Sequence, residues 1–177
     1  MKISTRGRYA VRFLIDLAEN YSYNEPSYQK IKDIAERQEI SKDYLVQLAV
    51  GLKNANLIRS SSGKDGGYTL SRPPEQINLL EAVEAAIGPI DILDCLKSGD
   101  YCSRADTCKS RGVWDLVNEN IKKDFKCFTL SQMAGVEHAS DTKSVCANSC
   151  SAVSDAKKAK KAVTSSSKRQ ATVSAHI

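Results

Sequence analysis

Residues 31–54, IKDIAERQEISKDYLVQLAVGLKN, hold two short amphipathic segments separated by a three-residue break. Both segments repeat apolar residues at helical spacing, which predicts one helix over residues 29–38 and a second from residue 42 onward. Ser41 is a residue type that commonly caps a helix N-terminus. The residues predicted to face inward are Ile31, Ile34, Ala35, Tyr44, Leu45, Leu48, Ala49 and Leu52. This pattern predicts a helix-turn-helix, and the simpler alternative is a helical hairpin with a polar outer face.

The second helix of a helix-turn-helix lies in the DNA major groove, where its first residues reach the base edges. In this chain those positions hold Ser41, Lys42, Asp43, Tyr44 and Gln47. Gln47 can pair with adenine through two hydrogen bonds, Lys42 can reach guanine or phosphate, and Asp43 can accept from cytosine. These five residues are therefore candidate DNA contacts.

A hairpin is predicted directly after these helices, in residues 57–74, LIRSSSGKDGGYTLSRPP. Its residues alternate on either side of a Gly-rich break, which is typical of two short strands and a tight connection. A hairpin in this place makes a winged helix, with Arg59, Ser62 and Lys64 on the wing to contact the DNA backbone or minor groove. A phosphate-binding loop is disfavoured, because no Gly-Lys-Ser or Gly-Lys-Thr sequence follows the glycines.

The chain opens with another helix, predicted over residues 4–20 and capped by Ser4 or Thr5. Its apolar residues return to one side, which is typical of a core helix. Arg6 and Arg8 in its first turn are candidate phosphate contacts, or alternatively solvated ends of the helix. Together these segments predict a mainly α fold with a small β-hairpin wing.

The net charge of +5 is unevenly distributed over the 177 residues. Residues 1–72 hold 12 Lys and Arg against 8 Asp and Glu, residues 73–140 hold 7 against 11, and residues 141–177 hold 7 against 2. A basic N-terminal module permits nucleic-acid binding without requiring it. Residues 140–177 are rich in Ser, Ala and Lys without periodicity, and they are expected to form a disordered basic tail.

A cytoplasmic location is expected, because Arg12 and Asp16 interrupt the apolar run that a leader or membrane span would need. In that reducing compartment, six cysteines are better explained as metal ligands, redox sensors or buried residues than as a disulfide framework. An enzyme is not expected. The two histidines, His138 and His176, lie at or beyond the end of the patterned region, and no nucleophile–base pair is visible.

Three cysteines share one polar segment, residues 94–111, DCLKSGDYCSRADTCKSR. Cys95, Cys102 and Cys108 follow a C-x6-C-x5-C spacing. Short polar connections let three thiolates converge on a soft metal or an iron–sulfur cluster. The alternative is three unconnected surface cysteines.

A long helix is predicted after the cysteines, over residues 112–128, with an apolar stripe that needs a partner surface. The stripe contains Val113, Val117, Ile121 and Phe125, and it is widened by Trp114 and Leu116. The same helix of a second subunit is the expected partner, because two-fold symmetry matches a palindromic operator.

These pieces resemble the IscR/NsrR-type (Rrf2) family of winged helix-turn-helix transcription regulators. The resemblance rests on KISTRGRYAV, IKDIAERQEISKDYLVQL, the Gly-Gly-Tyr wing, the cysteine triplet and the tryptophan helix ending in FTLSQMA, over about residues 1–134. It implies a homodimer in which Cys95, Cys102 and Cys108 ligate an iron–sulfur cluster, most often 2Fe-2S and in some members 4Fe-4S. It also implies that residues 41–54 form the recognition helix.

The chain departs from the family where a fourth cluster ligand is expected. Arg111 stands where IscR-like members carry a histidine, and Arg8 where NsrR-like members carry an acidic residue from the other subunit. Cys127 is not expected to reach the site, because the intervening helix places it more than about 20 Å from Cys108. The remaining alternatives are Asp94, Asp100, Asp106, a small thiol and an open iron position. Ser62 replaces the wing arginine of IscR-type members, so no operator preference is carried over.

The sequence thus predicts a DNA-binding transcriptional regulator, expected to be a repressor, that senses iron–sulfur, nitric oxide or redox status. Its predicted units are a winged helix-turn-helix domain (1–74), a cysteine loop with a dimerisation helix (75–139) and the tail (140–177). The alternative is a cluster-free winged-helix regulator that uses thiol oxidation, zinc or a docked metabolic enzyme as its signal. The expected partners are double-stranded operator DNA and a second copy of the chain, with a protein effector as a further candidate and no membrane.

Overall fold

The computed structural model describes residues 3–97, 102 and 104–135, so the expected tail at 140–177 lies outside the described residues. The helices are α1 (Thr5–Glu19), α2 (Ile31–Gln38), α3 (Lys42–Asn54), α4 (Leu79–Ile87), α5 (Arg111–Cys127) and α6 (Leu130–Ala134). The strands are β1 (Ile58–Ser61) and β2 (Gly67–Leu70), which pair antiparallel from Ile58 opposite Leu70 to Ser61 opposite Gly67. The predicted mainly α fold with a β-hairpin wing is confirmed.

The core is built around α1, which packs against α2, α3, α4, α6 and β2. Its apolar residues interlock with those of the helix-turn-helix and the wing, and the expectation of a core helix is confirmed. The largest fully buried side chains are Phe13, Leu14, Leu17, Ile34, Leu45, Leu48, Leu52, Leu57, Ile58, Leu70, Ile77 and Leu130. Full burial of each such side chain stabilises the fold by about 1.5–3 kcal/mol before the entropy of ordering is subtracted. Members of this core lie on both sides of residue 74.

The turn between α2 and α3 is set by backbone conformation rather than by a side-chain cap. Glu39 ends α2 in the left-handed conformation, with φ of 51°, and Ile40 is buried against the core. Ser41 occupies the predicted N-cap position of α3, but its side chain makes no capping hydrogen bond. The predicted position of the cap is therefore right, and its predicted interaction is absent.

The residues before α2 are drawn into the wing, and this shortens the helix. Helix α2 begins at Ile31 rather than at residue 29, because the Gln29 and Tyr68 backbones form a two-bond bridge, with N···O distances of 2.8 and 2.9 Å. A Cβ atom at Gly67 would lie only 2.3 Å from the Gln29 carbonyl oxygen. Glycine is thus required at this position, and the wing is fixed at its base to the helix-turn-helix.

Within the described part of the chain, no helix combines the length and apolar character needed to cross a bilayer.

Candidate nucleic-acid interface and cysteine loop

Helix α3 presents four of its five predicted DNA contacts to solvent. Ser41, Lys42, Asp43 and Gln47 are exposed, while Tyr44 is half-buried. The Tyr44 ring meets the Tyr9 ring of α1 edge-on, at a centroid distance of 5.8 Å. Tyr44 therefore helps to hold α3 against α1.

The outward face of α3 also carries two residues that sequence reasoning did not single out. Val46 is 40% exposed and Val50 is 59% exposed. They are one helical turn apart, and both lie on the same side of Gln47 around the helix. The signal available in the sequence was their i, i+4 spacing outside the buried stripe of the same helix.

Two of the three predicted contacts of the wing point into solvent, and the third forms a hydrogen bond within the wing. Ser62 and Lys64 are exposed in the turn between β1 and β2. Arg59 is also exposed, but its guanidinium donates a hydrogen bond of 2.7 Å to the Ser71 carbonyl oxygen. Lys53 of α3 donates to the Ser60 hydroxyl at 2.9 Å, which ties the recognition helix to the first wing strand.

The first turn of α1 carries the remaining two predicted contacts, Arg6 and Arg8, and both are exposed. Ser4 immediately precedes α1, and its hydroxyl accepts a hydrogen bond from the Gly7 backbone N–H. This confirms the predicted helix cap. Arg8 also borders a mainly apolar groove of about 370 Å³ between α1 and α4.

A buried charge network orients the helix-turn-helix on α1. The Asp16 side chain is fully buried and accepts two hydrogen bonds from the Arg37 guanidinium, at 2.7 and 3.0 Å. The Gln38 amide donates a third at 3.1 Å, and Arg12 donates back to the side chain and backbone of Gln38. The end of α2, and with it the turn into α3, is thereby fixed to the middle of α1.

The three predicted ligand cysteines lie in irregular structure before α5. Cys95 is in a 3-10 turn (Asp94–Leu96), Cys102 is half-buried, and Cys108 is exposed three residues before α5. All three are free thiols, so their donor chemistry suits a soft metal or an iron–sulfur cluster. Among the described residues, however, no group of three or more His, Cys, Asp or Glu side chains is close enough together to hold a metal ion.

The Cys108 thiol is activated by its neighbours. Its Sγ lies 3.3 Å from the Ser110 hydroxyl. Hydrogen bonding to the Ser110 side chain, and then to the backbone N–H groups of Ser110 and Arg111, lowers the pKa of the Cys108 thiol. An exposed thiol with a lowered pKa is more readily a thiolate, the form that binds metals and reacts with oxidants.

The cysteine segment is attached to α5 at both ends. At its start, Asp91 accepts hydrogen bonds from Asn118 and Lys122 of α5, at 3.0 and 3.1 Å. The Asn118 side chain also accepts from the Ile92 backbone N–H at 3.1 Å, and Asn118 is buried. At its end the segment runs directly into the first turn of α5 at Arg111. The two described parts of the segment, residues 91–97 and 104–110, are therefore each connected to α5.

Helix α5 itself leaves much of its apolar stripe uncovered. It begins at Arg111, one residue before the predicted start, and ends at Cys127. Val113 and Leu116 are 61% and 62% exposed, and Trp114 is 42% exposed. The predicted need for a partner surface matches this exposure.

Known proteins resemble the chain over the whole described region. The model of the Rrf2 family, described as an iron-dependent transcriptional regulator, matches residues 3–135. The protein rrf2 of Nitratidesulfovibrio vulgaris is 35% identical over 136 residues, which span 75% of this chain and 87% of that protein. The structure of CymR, the global cysteine regulator of Bacillus subtilis, superposes with a TM-score of 0.63 at 29% identity, covering 78% of this chain and 99% of CymR. The structure of IscR from T. potens has a TM-score of 0.58 at 32% identity, covering 77% of this chain and 88% of IscR.

Proposed function

The chain belongs to the Rrf2 family of DNA-binding transcriptional regulators, and on that premise we propose that it is a homodimeric repressor whose cysteine loop ligates an iron–sulfur cluster. The observation that carries the proposal is the loop itself. Three free thiols lie in one segment that is anchored at both ends to the helix with the exposed apolar stripe. A change at the thiols therefore acts directly on that helix.

The proposed DNA surface combines the outward face of α3, the wing and the first turn of α1. Its proposed contacts are Arg6, Arg8, Ser41, Lys42, Asp43, Tyr44, Gln47, Arg59, Ser62 and Lys64. Base recognition is assigned to Gln47, Lys42 and Asp43, which are exposed on α3. The exposed cations of α1 and the wing are assigned to phosphates, which fix orientation without reading sequence.

The proposed dimer pairs the apolar stripe of α5 with a second copy of the chain. Exposed valine, leucine and tryptophan side chains on one half of a helix are unfavourable in water, and burying them stabilises an interface. Two-fold symmetry would then present two α3 helices to a palindromic operator, one helical turn of DNA apart or a multiple of it.

Cys95, Cys102 and Cys108 are the proposed cluster ligands. When bound, an iron–sulfur cluster supplies one-electron redox chemistry and sensitivity to oxidants and nitric oxide. The chain's own contribution is a thiol of lowered pKa at Cys108 and the clamp of Asp91 on Asn118 and Lys122, which holds the start of the loop. The fourth ligand stays open in this proposal, since Arg111 cannot coordinate iron and instead lies 3.9 Å from Asp115.

The test is a visible spectrum with iron and sulfide assays on protein purified without oxygen. The wild type is expected to be coloured and to contain iron and sulfide, and Cys102→Ala is expected to lose them. Cys127→Ala is the matched control, because Cys127 is a half-buried free thiol at the other end of α5, and it is expected to retain the cluster. If the wild-type protein takes up no iron after anaerobic reconstitution, the cluster proposal is wrong.

A second candidate is a regulator that senses oxidants through Cys108 without a cluster. The observation that favours it is the exposed Cys108 thiol with its lowered pKa. A cluster absorbs visible light and bare thiols do not, so a colourless protein whose operator affinity falls on oxidation, but not in Cys108→Ala, would select this candidate.

A further inference from the structure

The outward face of α3 is apolar at its centre. Consecutive helical residues turn by about 100°, so Val46, Gln47 and Val50 fall within about 100° of arc on the side opposite the buried leucines. Val46 is 40% exposed and Val50 is 59% exposed. Lys42 and Lys53 are exposed along one edge of this strip, and the exposed Asp43 lies within it.

A chance pair of surface valines is a weak explanation for this arrangement. Single exposed apolar residues are common, but these two stand one turn apart on the face of a helix that projects beside the wing. Valine is also a poorer helix former than the alanine or glutamine that an exposed position usually accepts. A protein partner is disfavoured, because lysines border the strip and suit a polyanion better than an apolar surface.

Valine can read only one feature of a base pair in the major groove. It has no hydrogen-bonding group in its side chain, and the thymine C5 methyl is the apolar group that the major groove presents. A β-branched side chain in a helix is nearly fixed in one rotamer, so its two methyl groups form a rigid surface. One helical turn is about 5.4 Å, and base pairs rise by about 3.4 Å, so the two valines match methyl groups about two base pairs apart.

We infer that Val46 and Val50 are specificity-determining residues that contact thymine methyl groups next to the base read by Gln47. The inference rests on the proposed function, which places α3 in the major groove. The inference specifies which operators this helix would select: half-sites that carry thymines next to the base pair that Gln47 contacts. Val50 is the more exposed of the two.

The experiment measures the coupling between valine and thymine methyl groups. A binding sequence is first selected from random duplex DNA with the wild-type chain, and each thymine is then replaced singly by deoxyuridine, which lacks only the methyl. Losing one buried methyl contact is expected to weaken binding about threefold to fivefold at one or two positions per half-site. Val46→Ala and Val50→Ala are each expected to bind the uracil and thymine duplexes equally well at their own position.

The controls separate this inference from the proposed function. Ile87→Ala removes a branched side chain of similar exposure from α4, and it is expected to keep the full sensitivity to uracil. Circular dichroism of the two valine variants is expected to match the wild type, since both positions are exposed and alanine favours a helix. If the wild type binds a selected sequence but no uracil substitution weakens binding, or if the valine variants keep the same sensitivity, the inference is wrong while DNA binding stands. If no sequence is selected at all, the proposed function fails first.

Discussion

The ion pair between Arg37 and the buried Asp16 is predicted to fix the helix-turn-helix to α1. In Arg37→Met, a side chain of similar length keeps the packing but leaves the fully buried Asp16 carboxylate with Gln38 as its remaining donor. Removing one partner of a buried pair costs about 3–5 kcal/mol. The Arg37 side chain is 40% exposed, so solvent already screens part of the pair, and we expect a loss of about 2–3 kcal/mol.

Urea unfolding followed by far-UV circular dichroism measures this loss. With a urea slope of about 1–3 kcal/mol per molar, the midpoint of Arg37→Met is expected to fall by about 1–2 M. Lys32→Met is the matched control on the same helix, because Lys32 pairs with Glu36 at 3.8 Å with both side chains exposed. Exposed pairs of this kind contribute about 0.5 kcal/mol or less, so its midpoint should hardly move.

The cause of the loss can be tested separately from its size. Adding Asp16→Asn to Arg37→Met removes the unpaired buried charge, and it is expected to restore at least about 1 kcal/mol. In the wild type, the same Asp16→Asn change is expected to destabilise, because it breaks the charged pair. If Asp16→Asn lowers stability equally in both backgrounds, or if Arg37→Met behaves like the Lys32 control, the buried charge is not what ties α2 to α1.

Three further perturbations have outcomes set by single contacts. Gly67→Ala is expected to destabilise the fold by about 1–3 kcal/mol in urea unfolding, because its Cβ would lie 2.3 Å from a backbone oxygen. Gly112→Ala is the control: its Cβ would meet no atom within 4 Å, so the change should be neutral or stabilising. Ser110→Ala removes the largest cause of the lowered Cys108 pKa. The rate at which iodoacetamide alkylates Cys108 in cluster-free protein, followed by mass spectrometry, should therefore rise at a higher pH than in the wild type. An unchanged pH profile would contradict the role of Ser110. Ser131→Ala removes a buried hydroxyl without a hydrogen-bond partner among the described residues, and a gain of about 1 kcal/mol in thermal or urea unfolding is expected.

The helices and the wing were predictable because their signals are local. Apolar spacing, Gly-rich connections and cap residues act within a few positions, and each predicted helix of the described region is present to within about two residues at its ends. The errors came from contacts distant in sequence. Gln29 is not part of α2 as predicted, because its backbone N–H and C=O form hydrogen bonds with the backbone of Tyr68, 39 positions later. Ser41 stands at its cap position without forming the cap, since Glu39 and Ile40 already set the turn.

The candidate site was predictable in its residue types and less so in its geometry. The polar contacts of α3 follow from their helix positions, but the engagement of Arg59 with the Ser71 carbonyl depends on how the wing closes. Val46 and Val50 fall outside the predicted inward face of α3, but their degree of exposure is a property of the assembled fold. Cys95, Cys102 and Cys108 were predictable as free thiols in one loop, while the lowered pKa of Cys108 depends on the local turn at Ser110.

Helix α4 is the element that connects the cysteine loop to the DNA surface. It packs against α5, which carries the loop, and also against α3. The α3–α4 contact is already as close as backbone allows, since a Cβ at Gly51 would lie 2.8 Å from the Ala85 carbonyl oxygen. A contact this close transmits a displacement of α4 to α3 at this point, because packed interiors pass on strain. We therefore expect that a change of ligation or oxidation at the loop, by shifting α5 against α4, alters the tilt of α3 and hence operator affinity.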